Sequence, residues 1–278
     1  MECVVCHRRP SWRRKGAELL KCRDCGHVRA TNRFFKIDPR KIYERNYFES
    51  MDYADYEMER PALERNFADR IRRIRNFKKK GRLLEIGCAF GYFLNMADKF
   101  FETEGIEIDP EIANVARKNS KHSRIYAGEF LRRKFKDDRY DIICMLDTIE
   151  HLKRPDLYVR KISKILKSDG ILVIETGDMG SILSRIQGPK WRLITPPTHL
   201  HYFSEQTLER TLSTYGLTTI SSNYVPFARS VRQTLHRLLR KRATRYLPSP
   251  ILNTIFTINT YDLLFNVAQK KSPRPRKA

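Results

Sequence analysis

From Gly81 onward the chain alternates short apolar runs with amphipathic stretches, and no other feature restricts its fold as strongly. RLLEIG, TEGIEID, SRIYAGE, YDIICMLD and GILVIETG have the length of buried strands, whereas YFLNMADKFF, PEIANVARKN and PDLYVRKISKILK carry apolar residues at helical spacing. Strands separated by helices need crossover connections, which implies a parallel sheet covered on both faces. Pro110 and Pro155 mark helix starts, where a missing amide proton costs nothing. Further on, Ser204 reads as the N-cap of EQTLERTLSTY, with Thr207 three residues later completing only half a capping box. TTISSNYV and YDLLFNVAQ add two more strands. The expected fold class is α/β: a Rossmann-like, doubly wound, mostly parallel seven-stranded sheet.

Four of the six cysteines fall in the first 25 residues as two CxxC pairs, Cys3 with Cys6 and Cys22 with Cys25. Two residues between thiolates let a tight turn aim both sulfurs at one ion, and two such knuckles make a tetrahedral zinc site. Fifteen residues separate the knuckles, enough for a short hairpin. Two disulfides are the competing reading, and a reducing compartment disfavours them. With all four positions filled by protein, the zinc is expected to be structural. His7 and His27 lie close enough to serve as substitute ligands, and Cys88 and Cys144, in apolar runs, read as buried thiols.

Neither a membrane-length apolar run nor the apolar centre of a secretion signal is present, so the expected location is cytoplasmic, peripheral at the inner membrane face if the basic surface binds lipid. A formal net charge of +23 calls for an anionic partner: nucleic acid, anionic headgroups or a phosphorylated substrate. A merely solvated basic surface is the plainer alternative. The expected organisation is a zinc ribbon over 1–40, a helical lead-in and cofactor lid over 41–80, and the core over 81–228. A basic amphipathic helical insertion follows from 229, then a final strand at about 260–269 and a disordered basic tail to 278. Phe67, Ile71, Ile74 and Phe77 give the lead-in its apolar stripe.

In an open α/β sheet, ligands bind beyond the carboxyl ends of the strands. Gly87 and Gly91 occupy the turn after the first core strand, where glycine lets the main chain approach a ligand closely. Glu85 precedes the first glycine by two residues, Glu107 closes the second strand about twenty residues on, and Glu129 follows the third. A carboxylate at the end of the second strand is where an adenosine ribose presents its hydroxyls.

LLEIGCAFGYFL, GIEIDPEIANVARK and DIICMLDTIEHLKRPD, taken together, resemble the class I S-adenosylmethionine-dependent methyltransferases, particularly the subgroup with an N-terminal zinc ribbon (methyltransferase domain family 23-like). The resemblance spans Gly81 to Gly216, and it departs at Ala89, where the family usually has a glycine. It implies S-adenosylmethionine as cofactor. Gly87, Cys88, Ala89 and Gly91 would lay main chain against the methionine portion and Glu85 would orient its amino group. Glu107, beside Ile108, would accept from both ribose hydroxyls. Glu129 would accept from the adenine amine, and Asp147 would border the transferred methyl. Tyr43 and Tyr47 are expected to lid the cofactor.

Methyl transfer from a sulfonium is a direct displacement, so catalysis rests on positioning, and a base is needed only if the acceptor must lose a proton. The candidate bases are His199 and His201, which alternation places on one side of the segment HLHY, and His151. For each, a packed structural histidine is the plainer reading. The acceptor expected from the subgroup is a sugar, a lipid-linked molecule or a small metabolite, with residues 229–247 resting on an anionic membrane surface. The alternatives are an RNA methyltransferase gripping phosphates through Arg8, Arg9, Arg13, Arg14 and Lys15, and a non-catalytic cofactor-binding scaffold.

Overall fold

The computed structural model describes residues 2–37, 57–239 (236–239 as backbone only) and 248–271. Its centre is a seven-stranded sheet. Strands β4 (Arg82–Ile86), β5 (Glu102–Glu107), β6 (Arg124–Ala127), β7 (Tyr140–Leu146) and β8 (Leu166–Gly177) pair in parallel, in the spatial order 8-7-4-5-6. Strand β13 (Leu263–Lys270) lies antiparallel against β8, and β10 (Leu217–Tyr224) antiparallel against β13. The last of the described strands therefore slots between two earlier ones. That placement leaves the order reversing at β4, where a crevice opens beyond the strand ends.

Alternation along the strands sorts the core into two layers. Leu84, Ile86, Ile143, Met145, Leu172 and Ile174 face one side, packed against Val159 and Ile162 of α5 (Pro155–Ile165) and Leu208 and Leu212 of α7 (Glu205–Thr214). On the other side Leu83, Ile142, Cys144 and Val173 meet Ile71 and Ile74 of α2 (Arg60–Phe77), Phe93 and Leu94 of α3 (Tyr92–Ala97), and Ala113 and Ala116 of α4 (Pro110–Asn119). Burial on both faces explains why the strands read as continuous apolar runs. Asp109 caps α4 by accepting from the amides of Glu111 and Ile112, with Pro110 at the first helical position. At α7 the capping box is complete, not half made. Thr207 Oγ1 accepts from the Ser204 amide while Ser204 Oγ accepts from the Thr207 amide, a role usually taken by Glu or Gln.

The N-terminal module is a three-stranded meander, β1 (Trp12–Lys15), β2 (Leu19–Cys22) and β3 (Val28–Ala30), followed by the short α1 (Asn32–Phe35). It does not stand apart. Strand β9 (His201–Tyr202), from the far side of the core, pairs antiparallel with β3 and completes a four-stranded sheet. Leu19, Val28, Ala30 and Phe34 then pack with Trp191, Leu200 and Tyr202.

One further expectation changes. The segment from 229 does not begin as a helix: Phe227–Ser230 forms β11, which pairs antiparallel with β12 (Ile255–Ile258), and the helices there are α8 (Val231–Leu239) and the one-turn α9 (Ser249–Leu252). Residues 240–247 and the basic tail from 272 lie outside the described residues, as do Tyr43 and Tyr47. A last short helix, α6 (Ile182–Gln187), follows β8.

Candidate functional site

A cavity of about 510 Å³ opens beyond the carboxyl ends of β4, β5 and β7, roofed by α2. Glu85, Gly87, Cys88, Ala89, Glu107, Ile108, Glu129, Asp147 and His151 all line it. Gly91 does not; it begins α3 with φ +76°, and a Cβ there would come within 3.0 Å of the Ala116 carbonyl, so its lack of a side chain lets α3 pack on α4. Gly87, at φ +78°, turns the chain where a Cβ would meet the Thr148 hydroxyl at 2.8 Å. Ala89 also takes a left-handed conformation, φ +43°, as the glycine usual at that position would without strain.

The turn is tied to the second strand through Glu107. Its Oε2 accepts from the Ala89 amide at 3.0 Å and its Oε1 from the Asp109 amide at 3.2 Å. Both oxygens are thus aimed by main chain, and each keeps a further lone pair for a ligand hydroxyl. Glu85 differs: it is 4% exposed, and its Oε2 makes no hydrogen bond among the described residues. A buried polar atom left in that state is costly, and a donor on a ligand would satisfy it. Glu129 is half exposed and pairs with Arg132 at 2.9 Å, so an adenine amine would share that carboxylate.

The electrostatics favour a cation. Burial pushes Glu85 well above the usual carboxylate range and raises Glu107. Asp147 is likewise pushed well up, first by burial and then by Glu175 and Glu150. Arg70 and Arg192 oppose that rise at Asp147. Arg70 of α2 makes a two-pronged ion pair with Glu175, Nε to Oε2 at 2.6 Å and Nη2 to Oε1 at 3.2 Å. Carboxylates crowded in low dielectric welcome a positively charged ligand and repel a pyrophosphate.

The three candidate bases part company. His151 lines the cavity, its Nδ1 2.9 Å from the Thr198 carbonyl, and burial pushes its pKa down to about 4. His199 does not line the cavity but meets the His151 ring edge to face at 4.6 Å. His201 lies elsewhere, 1% exposed in β9 and 2.9 Å from His27 of the N-terminal module, with its pKa pushed to about 3 by burial. Pairing with β3 leaves it outside the cavity lining, packed against His27 and Phe203, so the structure does not bring it together with His151 as a base for that cavity.

Other lining residues carry little sequence signal. Leu63, Asn66, Phe67 and Arg70 come from α2, whose periodicity announces only its buried stripe, and Tyr158 comes from α5. Glu175 was visible as a carboxylate near the end of GILVIETG, in the place Glu107 holds on its own strand.

The four N-terminal cysteines converge as the knuckle spacing predicts, their sulfurs all within 4.8 Å of one another. Cys3 to Cys25 is 3.6 Å and Cys6 to Cys22 is 3.9 Å, far beyond a disulfide bond and close to the edge, about 3.8 Å, of a tetrahedron with thiolate–zinc bonds of about 2.3 Å. The hydrogen bond from Cys25 lowers the Cys3 thiol to about 5, so one thiolate is readily formed. The donor set fits a tetrahedral thiolate-bound ion. His7 and His27 are outside the converging set.

The sequence model of the methyltransferase domain family matches residues 56–222. The chain belongs to that family. An S-adenosylmethionine-dependent methyltransferase of Thermotoga maritima shares the fold at a TM-score of 0.56 and 19% identity, over 84% of this chain and all of that one. Among curated relatives, the ubiquinone biosynthesis O-methyltransferase of Glaesserella parasuis is 29% identical over 110 residues, 36% of this chain and 46% of the relative. The ajmaline N-methyltransferase of Rauvolfia serpentina is 26% identical over 105 residues, 35% and 36% respectively. The matches therefore span less than half the length of these curated relatives. The unsatisfied Glu85 oxygen and the carboxylate wall of the cavity fit a nucleoside carrying an ammonium and a sulfonium.

Proposed function

We propose that the chain transfers a methyl group from S-adenosylmethionine to a sugar, lipid-linked or small-metabolite acceptor. The observation that carries this reading is Glu107, which lines the cavity at the end of β5 with its two oxygens fixed by the Ala89 and Asp109 amides. There it would hold the ribose hydroxyls, while Glu85 takes the ammonium and Gly87, Cys88 and Ala89 present main chain to the methionine portion. Asp147 and His151 border the space left for the acceptor. Two of the curated relatives are named for ajmaline N-methylation and for O-methylation in ubiquinone biosynthesis, which supports that acceptor class. The electron-poor methyl is the cofactor's own chemistry; this chain's residues bind, orient and exclude water. We assign zinc to the four cysteines, in a structural role.

Calorimetry tests the reading. Metal-replete protein should bind S-adenosylmethionine and S-adenosylhomocysteine, and Glu107→Gln should weaken both by about 1.5–3 kcal/mol, roughly 10–100-fold, the worth of hydrogen bonds to a charged group. No heat with either ligand sinks the proposal. Binding of both without transfer to any acceptor favours the scaffold reading.

An RNA acceptor is the second reading, favoured by the net charge of +23 and by exposed Arg13 and Arg14 on β1. It requires RNA retention that falls steeply with salt. No described helix is long and apolar enough to cross a membrane. Docking of the 229–258 region on anionic lipid would show as pelleting with anionic but not neutral vesicles.

A further inference from the structure

Behind the cavity wall at His151, two histidines and a buried acid meet. Glu150 and His151 sit in the 3-10 turn after β7, His199 comes from the loop before β9, and one donor atom from each lies within 4.8 Å of the other two. His151 Nε2 is 4.0 Å from Glu150 Oε1.

Each of the three is aimed by a partner behind it. The Nδ1 atoms of His151 and His199 lie 2.9 and 2.8 Å from the carbonyls of Thr198 and Leu193. A carbonyl only accepts, so in the neutral rings Nδ1 carries the proton and Nε2 the lone pair. Glu150 Oε2 accepts from the Thr176 hydroxyl at 2.9 Å. Carbonyls behind imidazoles and a hydroxyl behind a carboxylate are the outer partners that fix the tautomer and direction of metal ligands. The Leu200 amide donates to the Glu150 carbonyl at 2.8 Å, locking the two segments together.

We propose that Glu150, His151 and His199 bind a divalent transition-metal ion whose open position faces the cavity and takes a hydroxyl oxygen of the acceptor. Two imidazoles and one carboxylate suit Zn²⁺, Fe²⁺, Co²⁺ or Mn²⁺ better than Mg²⁺ or Ca²⁺, which prefer all-oxygen shells. Three protein ligands leave room for a further one, unlike the closed four-cysteine site. An ion there lowers the pKa of a bound hydroxyl, whose proton leaves to solvent, so neither histidine has to act as base. The acceptor is then an alcohol or phenol. That assignment rests on the methyltransferase reading; the metal site does not.

The full chain, stripped of metal and titrated with Co²⁺, decides it. The expected result is two ions per chain, one with thiolate-to-cobalt charge-transfer absorption and one with ligand-field absorption but no thiolate band. His199→Ala should lose the second ion alone and keep S-adenosylhomocysteine binding. A wild-type chain that takes up only the thiolate-bound ion overturns the proposal, as does a folded His199→Ala that still takes two. If that variant does not fold, the wild-type stoichiometry decides. Two ions without any cofactor heat would leave the metal site standing and remove the methyltransferase reading.

Discussion

At the scale of single residues, burial of carboxylates gives the cavity a pH dependence. Burial raises the pKa of Glu85, Glu107 and Asp147 in the ligand-free fold. In the unfolded chain these acids ionise near their ordinary values, so their burial costs stability increasingly as pH rises above that range. A bound sulfonium favours the ionised forms, so binding releases protons and tightens with rising pH. Calorimetry between about pH 5 and 8 should show affinity for S-adenosylmethionine climbing more steeply than for S-adenosylhomocysteine, which lacks the sulfonium charge. Equal slopes would mean that these acids do not sense the ligand's charge. Much at this scale was legible in the sequence: glutamates two residues before Gly87 and at the end of β5 line the cavity because strand ends converge there. His201 was not, since the alternation that put it beside His199 says nothing about which neighbour claims the strand.

Among elements, α2 is the one whose purpose its own periodicity conceals. Ile71 and Ile74 bury against the sheet, as the stripe implies, yet Arg70 beside them is 2% exposed and pinned to Glu175 on β8. Asn66 adds a pair of hydrogen bonds to the backbone of Ala228, 2.5 and 3.1 Å, so the roof is held to both β8 and β11. Removing one side of a buried ion pair leaves the other charge uncompensated, at about 3–5 kcal/mol. Arg70→Met should accordingly lower the melting temperature by many degrees and weaken cofactor binding; a melting temperature within a degree or so of wild type would show that the pair does not hold the fold together. Long-range pairs of this kind leave no periodic trace. The five parallel strands did, because burial on both faces forces unbroken apolar runs.

Across the whole molecule, the four-cysteine module and the core are parts of one packing unit. Leu200 carries the link: the Ala30 amide donates to its carbonyl at 2.8 Å, and its own amide donates to Glu150. If the four cysteines hold the proposed zinc, a chelator should lower the melting temperature of the full chain and disturb the turn of Glu150 and His151 at the cavity wall, while S-adenosylhomocysteine binding, proposed to rest on β4 and β5, persists. Loss of cofactor binding in parallel would show instead that the unit melts as a whole. The CxxC spacing made the module legible, but no local pattern could disclose that its fourth strand is lent by residues about 170 positions away. A protein cut before residue 57 would leave β9 with bare amides and carbonyls and uncover Leu200 and Tyr202, an invitation to pair with another copy. Shortened versions intended for expression are therefore expected to aggregate, and an intact start to the chain is the simplest route to a well-behaved sample.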